Sequence, residues 1–119
     1  VLPENYRIPL HQLPAHRFSQ PRELPDWADI FSEFCFFVRP SNPEEEQWFL
    51  DRVTAMLTIH CQQAAQATPV STIERAEIVT AQNYYSTKQQ QNDKTRRVLE
   101  KAFGNEWAEN YMTTVLFDS

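Results

Sequence analysis

FSEFCFFV, residues 31–38, is the stretch whose reading decides the fold class of this chain. Phe31, Phe34, Phe36 and Phe37 crowd together with Cys35 and Val38, and Arg39-Pro40 closes the run. A short, aromatic-dense segment bounded by proline reads as a strand buried on both faces. No comparable second run follows or precedes it. A strand cannot satisfy its own main-chain donors and acceptors, and an unpaired apolar strand is an aggregation hazard. The reading therefore predicts that this strand completes a sheet with chain from elsewhere, either a missing segment or another subunit, and that the isolated chain is aggregation-prone.

Downstream the signals are helical. Asn42 as cap, Pro43 in the first position and Glu44, Glu45 and Glu46 in the first turn form a strong helix start. Phe49, Val53, Met56, Leu57, His60 and Ala64 then recur at helical spacing through about residue 65. The capping-box pattern from Ser71 to Glu74 opens a second helix running toward Tyr85 or beyond. In KQQQNDKTRRVLEKAFG, residues 88–104, Asp93 can cap a short helix from about Lys94, and Gly104, the single glycine, stands where it can end. Asn105 could cap a last helix carrying Trp107, Tyr111 and Val115. Upstream, Pro3, Pro9, Pro14, Pro21 and Pro25 leave room only for short helical pieces in residues 1–26.

At 119 residues, with 41% hydrophobic and 13% aromatic content, the chain has material for the core of one domain. Its formal net charge of -5 argues against general nucleic-acid binding, which depends on neutralising phosphates. The charge is uneven: five of the eleven lysines and arginines fall between Lys88 and Lys101, a patch suited to an acidic protein partner. Cys35 and Cys61 lack metal-type spacing, and His11, His16 and His60 form no ligand motif, so no metal site is expected. Cytosolic thiols and a cytoplasmic location are the default. No apolar run reaches the roughly 20 residues needed to span a bilayer, so no membrane association is expected. The chain begins with valine, which hints at truncation.

The 88–104 stretch, with NEWAENYMTTVLFD at 105–118 behind it and RELPDWADIFSEFCFFVRPSNPEEE at 22–46 ahead, resembles the C-terminal end of the ferredoxin-dependent bilin reductases. The resemblance covers roughly residues 19–118. It implies that residues 1–119 are the helix-rich C-terminal half of a single α/β domain, an α/β/α sandwich with a central antiparallel sheet, whose N-terminal half is missing. It also implies reduction of biliverdin IXα with electrons delivered singly by reduced ferredoxin, the bilin itself being the redox centre and no metal or flavin being bound. The product expected first is phycocyanobilin. The alternatives are another phytobilin, or a non-enzymatic helical interaction module.

Site residues follow from the same resemblance. Arg22 and Lys94 match positions that engage the two propionates, a guanidinium fork and an ammonium point charge respectively. Trp27, Val98 and Phe117 match pocket-lining positions, as a flat apolar substrate requires. Asn92 matches a position close to the substrate, and Gln89, three residues earlier, could point its amide the same way. No catalytic acid is assigned, since the family's principal proton donors lie in the other half, and Asp26, Asp29, Asp51, Asp93 and Asp118 stand in no matching context. Arg96, Arg97 and Lys101, beside Lys88, are the cations expected to meet acidic ferredoxin.

Overall fold

The computed structural model describes residues 2–119. It contains five α-helices: α1 (Glu4–His11), α2 (Pro43–Gln66), α3 (Thr72–Gln89), α4 (Asp93–Phe103) and α5 (Asn105–Tyr111). A 3-10 turn, Ala28–Ile30, precedes α2, and a π-helical turn, Met112–Leu116, continues α5. Two compact units share the chain. The first joins the stretch ending at Pro25 with Phe31–Pro69, and the second joins Asp26–Ile30 with Val70–Ser119.

The α/β expectation is overturned: among the described residues there is no strand and no sheet, and the chain is helical. The run 31–38 enters a single isolated antiparallel bridge, Pro21 with Val38. Around it the Arg22 amide donates to the Phe37 carbonyl at 2.9 Å, and the Arg39 amide donates to the Gln20 carbonyl at 2.9 Å. Earlier in the run the chain turns instead of extending, because the Cys35 amide bonds the Ser32 carbonyl at 3.0 Å and the Phe34 amide bonds Ser32 Oγ at 3.2 Å. The physical reason is the one that made the strand costly. With no neighbour to complete a ladder, a local turn satisfies the backbone, and Phe36 is covered by a helix.

That helix is α2. Phe36 stacks on Phe49 with centroids 5.6 Å apart, while Phe18 meets Phe36 edge-on at 4.9 Å and Trp48 at 5.8 Å. His16 stacks on Trp48 at 4.7 Å. The start of α2 follows the expected chemistry: Asn42 Oδ1 accepts the Glu45 amide at 2.9 Å and Pro43 opens the first turn. Glu45 then turns back on the chain. Its buried carboxylate accepts the amides of Ser19 and Ser41, both at 2.7 Å, and the Ser41 hydroxyl at 2.8 Å. These bonds, the amide of Ser19 first and that of Ser41 next, hold the carboxyl down at about 2. The short helix α1 lies along the other end of α2, where Asn5 bonds Gln63 at 2.7 Å and the Tyr6 hydroxyl meets His60 Nδ1 at 3.0 Å.

In the second unit the capping box at Ser71 and Glu74 is formed in both directions, with bonds of 3.2 and 2.9 Å. Helix α4 is capped by Asn92, not Asp93: Asn92 Oδ1 accepts the Thr95 amide at 3.2 Å, and Asp93 is already helical. Likewise Asn105 is the first residue of α5 and not its cap. Gly104, at φ +88°, ends α4 by donating its amide to Glu100 and opens α5 by accepting the Ala108 amide. Ala108 and Met112 are completely buried and form the centre of this unit. On its flank Phe103, Trp107 and Tyr111 stack in sequence at 4.3 and 4.8 Å.

Candidate functional site

Five of the six residues expected to meet substrate, Trp27, Asn92, Lys94, Val98 and Phe117, belong to the second unit, and Arg22 belongs to the first. Arg22 sits at the isolated bridge, its guanidinium 5.5 Å from the centre of the Phe37 ring, and makes no ion pair among the described residues. An aromatic face under the fork limits its freedom while leaving its N–H donors available.

In the second unit the chemistry gathers where α3 ends and α4 begins. Asn92 spends its Oδ1 on the cap, so its Nδ2 is the atom left to donate outward. Lys94 follows in the first turn, exposed and without an ion pair among the described residues. Val98, one turn on, is 69% exposed, one of several large apolar side chains left uncovered among the described residues. Arg97 and Lys101 are exposed on the same side of the helix. Lys94, Arg97, Val98 and Lys101 thus form one cationic face with an apolar centre.

Arg96 does not share that face. It is packed toward α5, where Nη1 pairs with the Glu109 carboxylate and Nη2 donates to the Gln90 carbonyl at 2.8 Å. Lys88 is also engaged internally, 3.7 Å from Asp29 and over the Tyr84 ring. Tyr84 donates its hydroxyl to Asp29 at 2.5 Å, and that bond, with burial, pushes the phenol up from its ordinary value. The pair fastens the 3-10 turn that follows Trp27 onto α3. The basic patch read from sequence therefore divides into two internal anchors and three outward cations.

The glutamine run divides in the same way. Gln89 is buried and donates to the Tyr85 hydroxyl at 3.0 Å, whereas Gln90 donates its side-chain amide to the Phe117 carbonyl at 2.8 Å. Phe117 is half-buried, and its amide returns to the Met112 carbonyl at 3.0 Å, closing the π-helical turn. Sequence reasoning missed Gln90, Tyr84 and Asp29. Nothing in three consecutive glutamines distinguishes the one that bonds Phe117.

Among the described residues no group of three or more His, Cys, Asp or Glu is placed to hold a metal ion, and no helix is long and apolar enough to cross a membrane. Both cysteines are free and exposed.

Comparison with known proteins agrees with the resemblance and extends it to nearly the whole chain. The family profile described as ferredoxin-dependent bilin reductase matches residues 1–118. A phycocyanobilin:ferredoxin oxidoreductase of Trichodesmium erythraeum is 58% identical over 118 residues, covering 99% of this chain and 48% of that protein. One of the same name from Synechococcus elongatus is 55% identical over 118 residues, covering 98% of this chain and 48% of the relative. The chain spans about half the length of the curated relatives it matches. A match that runs almost from end to end at this identity leaves no segment over for a different assignment, and the chain belongs to the ferredoxin-dependent bilin reductase family.

Proposed function

We propose that this chain acts in the ferredoxin-dependent reduction of biliverdin IXα to phycocyanobilin, supplying the propionate anchors and part of the pocket wall. The observation that supports it best is the start of α4, where an uncommitted amide on Asn92, an unpaired ammonium on Lys94 and the uncovered Val98 share one short helix. A bilin presents propionate carboxylates, polar lactam edges and flat apolar faces, and each has a counterpart there. Arg22 is the second carboxylate anchor, and Trp27 and Phe117 extend the wall. The four electrons arrive one at a time from reduced ferredoxin, four protons accompany them, and the bilin is the redox centre without a resident metal or flavin. The proton donors stand outside these 119 residues. Arg97 and Lys101 speed the encounter with an acidic ferredoxin. The free thiols suit the reducing cytoplasm of a cyanobacterium.

The test uses a chimera in which residues 1–118 replace the matching segment of the Trichodesmium relative. With reduced ferredoxin it should convert biliverdin to phycocyanobilin. Lys94→Ala and Arg22→Ala should each weaken biliverdin binding by roughly tenfold to a hundredfold, the cost of one charge-assisted contact. A folded chimera that yields a different bilin would overturn the product assignment. Unchanged biliverdin affinity in both single variants and in the double variant would show that these two cations are not anchors.

A further inference from the structure

Residues 117–119 are held by a series of bonds that runs through the turn between α3 and α4. Glu109 pairs with Arg96, Arg96 donates to the Gln90 carbonyl at 2.8 Å, and Gln90 donates through Nε2 to the Phe117 carbonyl at 2.8 Å and to Ser119 Oγ at 3.3 Å. Gln90 lies two residues before Asn92. The same short turn therefore carries a substrate-facing amide and a clamp on a substrate-facing aromatic ring. Three features argue that the clamp is specific. The bonds from Arg96 to the Gln90 carbonyl and from Gln90 to the Phe117 carbonyl are partly buried, which shelters these two from competing water. Beyond Phe117, whose amide bonds the Met112 carbonyl, Asp118 and Ser119 have no helical bonds of their own. Gln90 also uses both ends of its residue, the carbonyl toward Arg96 and the side chain toward Phe117, so the two contacts orient one another.

We propose that Gln90, braced by Arg96, is a positioning residue that latches the terminal segment so that Phe117 and Asn92 form one continuous part of the bilin-binding wall. This inference rests on the bilin-reducing reading for its functional half and on geometry alone for the latch. Gln90 touches no substrate in this scheme. It acts by fixing where Phe117 stands, and a flexible open-chain tetrapyrrole takes its bound curvature from the walls that confine it.

The decisive variant is Gln90→Glu, which keeps the size of the side chain but replaces the donor with a carboxylate facing a carbonyl. In the chimera without bilin, hydrogen exchange at the Phe117 amide, which bonds the Met112 carbonyl, should become about two- to tenfold faster, the ratio expected for one hydrogen bond. In the chimera, biliverdin affinity should fall by a similar factor, and the visible circular dichroism of the bound bilin should change shape, a signature that a general loss of stability does not produce. Arg96→Lys, which keeps the charge beside Glu109 but lacks the second N–H for the Gln90 carbonyl, should give a smaller change of the same kind and serves if Gln90→Glu fails to fold. Unaltered terminal exchange in both variants would refute the latch. Faster exchange with unaltered affinity and dichroism would refute the role of Phe117 in the wall. Lys94→Ala in the same chimera keeps the readings apart: if it too leaves biliverdin affinity untouched, the site assignment fails as a whole, while the exchange measurement, which needs no bilin, decides the latch.

Discussion

Replacing Asn92 by aspartate and by alanine should separate its two jobs. The cap uses Oδ1 alone, at 3.2 Å from the Thr95 amide, at the long end of hydrogen-bond distances. Alanine removes that acceptor, and the usual cost of about 1 kcal/mol for losing a helix cap applies, roughly a fivefold change in the folding equilibrium. Aspartate keeps an acceptor at the same place and adds a negative charge at a helix N-terminus, so its stability should equal or slightly exceed that of the native chain. The other end of the amide behaves in the opposite way. Nδ2 has no partner among the described residues, and a single neutral hydrogen bond to a lactam oxygen is worth about 0.5 to 1.5 kcal/mol, or a factor of two to twelve in affinity. Aspartate abolishes that donor as completely as alanine does and sets an oxygen against an oxygen. Urea unfolding and biliverdin titration of the chimera should therefore show Asn92→Ala weakened in both measurements and Asn92→Asp weakened only in binding. An aspartate variant that binds biliverdin like the native protein would reduce Asn92 to a helix cap. An aspartate variant as unstable as the alanine one would mean that the side chain is not acting as the cap.

Two further outcomes follow from the electrostatics. Glu45 has its carboxyl lowered to about 2 in the folded chain, below the ordinary value of 4.5, so its contribution to stability is complete above about 4.5 and is lost as the pH falls toward 2. Glu45→Gln should lower stability at pH 7 and flatten the stability profile over that window in chemical denaturation measured by circular dichroism; an unchanged slope would locate the acid sensitivity elsewhere. Arg97→Glu with Lys101→Glu should slow ferredoxin-dependent turnover of the chimera at saturating biliverdin most at low ionic strength, where screening is least. Equal turnover at low salt would remove this face from the docking surface.

Local chemistry made the helices legible. Asn42, Pro43 and three glutamates, or Ser71 with Glu74, specify a helix start through bonds and dipoles only three or four residues apart. The segment 31–38 was misleading because aromatic density reports a demand for burial without saying what meets it. For Phe36, Phe49 on α2 and Phe18 meet it, and among the described residues no sheet does. The same limit applied to α4. Arg96 and Arg97 are neighbours in sequence, but Glu109, thirteen positions downstream, claims one and leaves the other outside. Tyr84 and Asp29 are separated by 55 positions, and no spacing rule connects them.

Gly104 is held to its identity by handedness and not by crowding. A methyl group built on its Cα would meet no heavy atom within 4 Å, so there is room for a side chain, yet at φ +88° an L-residue is strained by its own backbone. The forbidden substituent is therefore the natural enantiomer alone. A D-alanine introduced there by chemical synthesis already favours positive φ by mirror symmetry, reducing the freedom of the unfolded chain where L-alanine would oppose the bend.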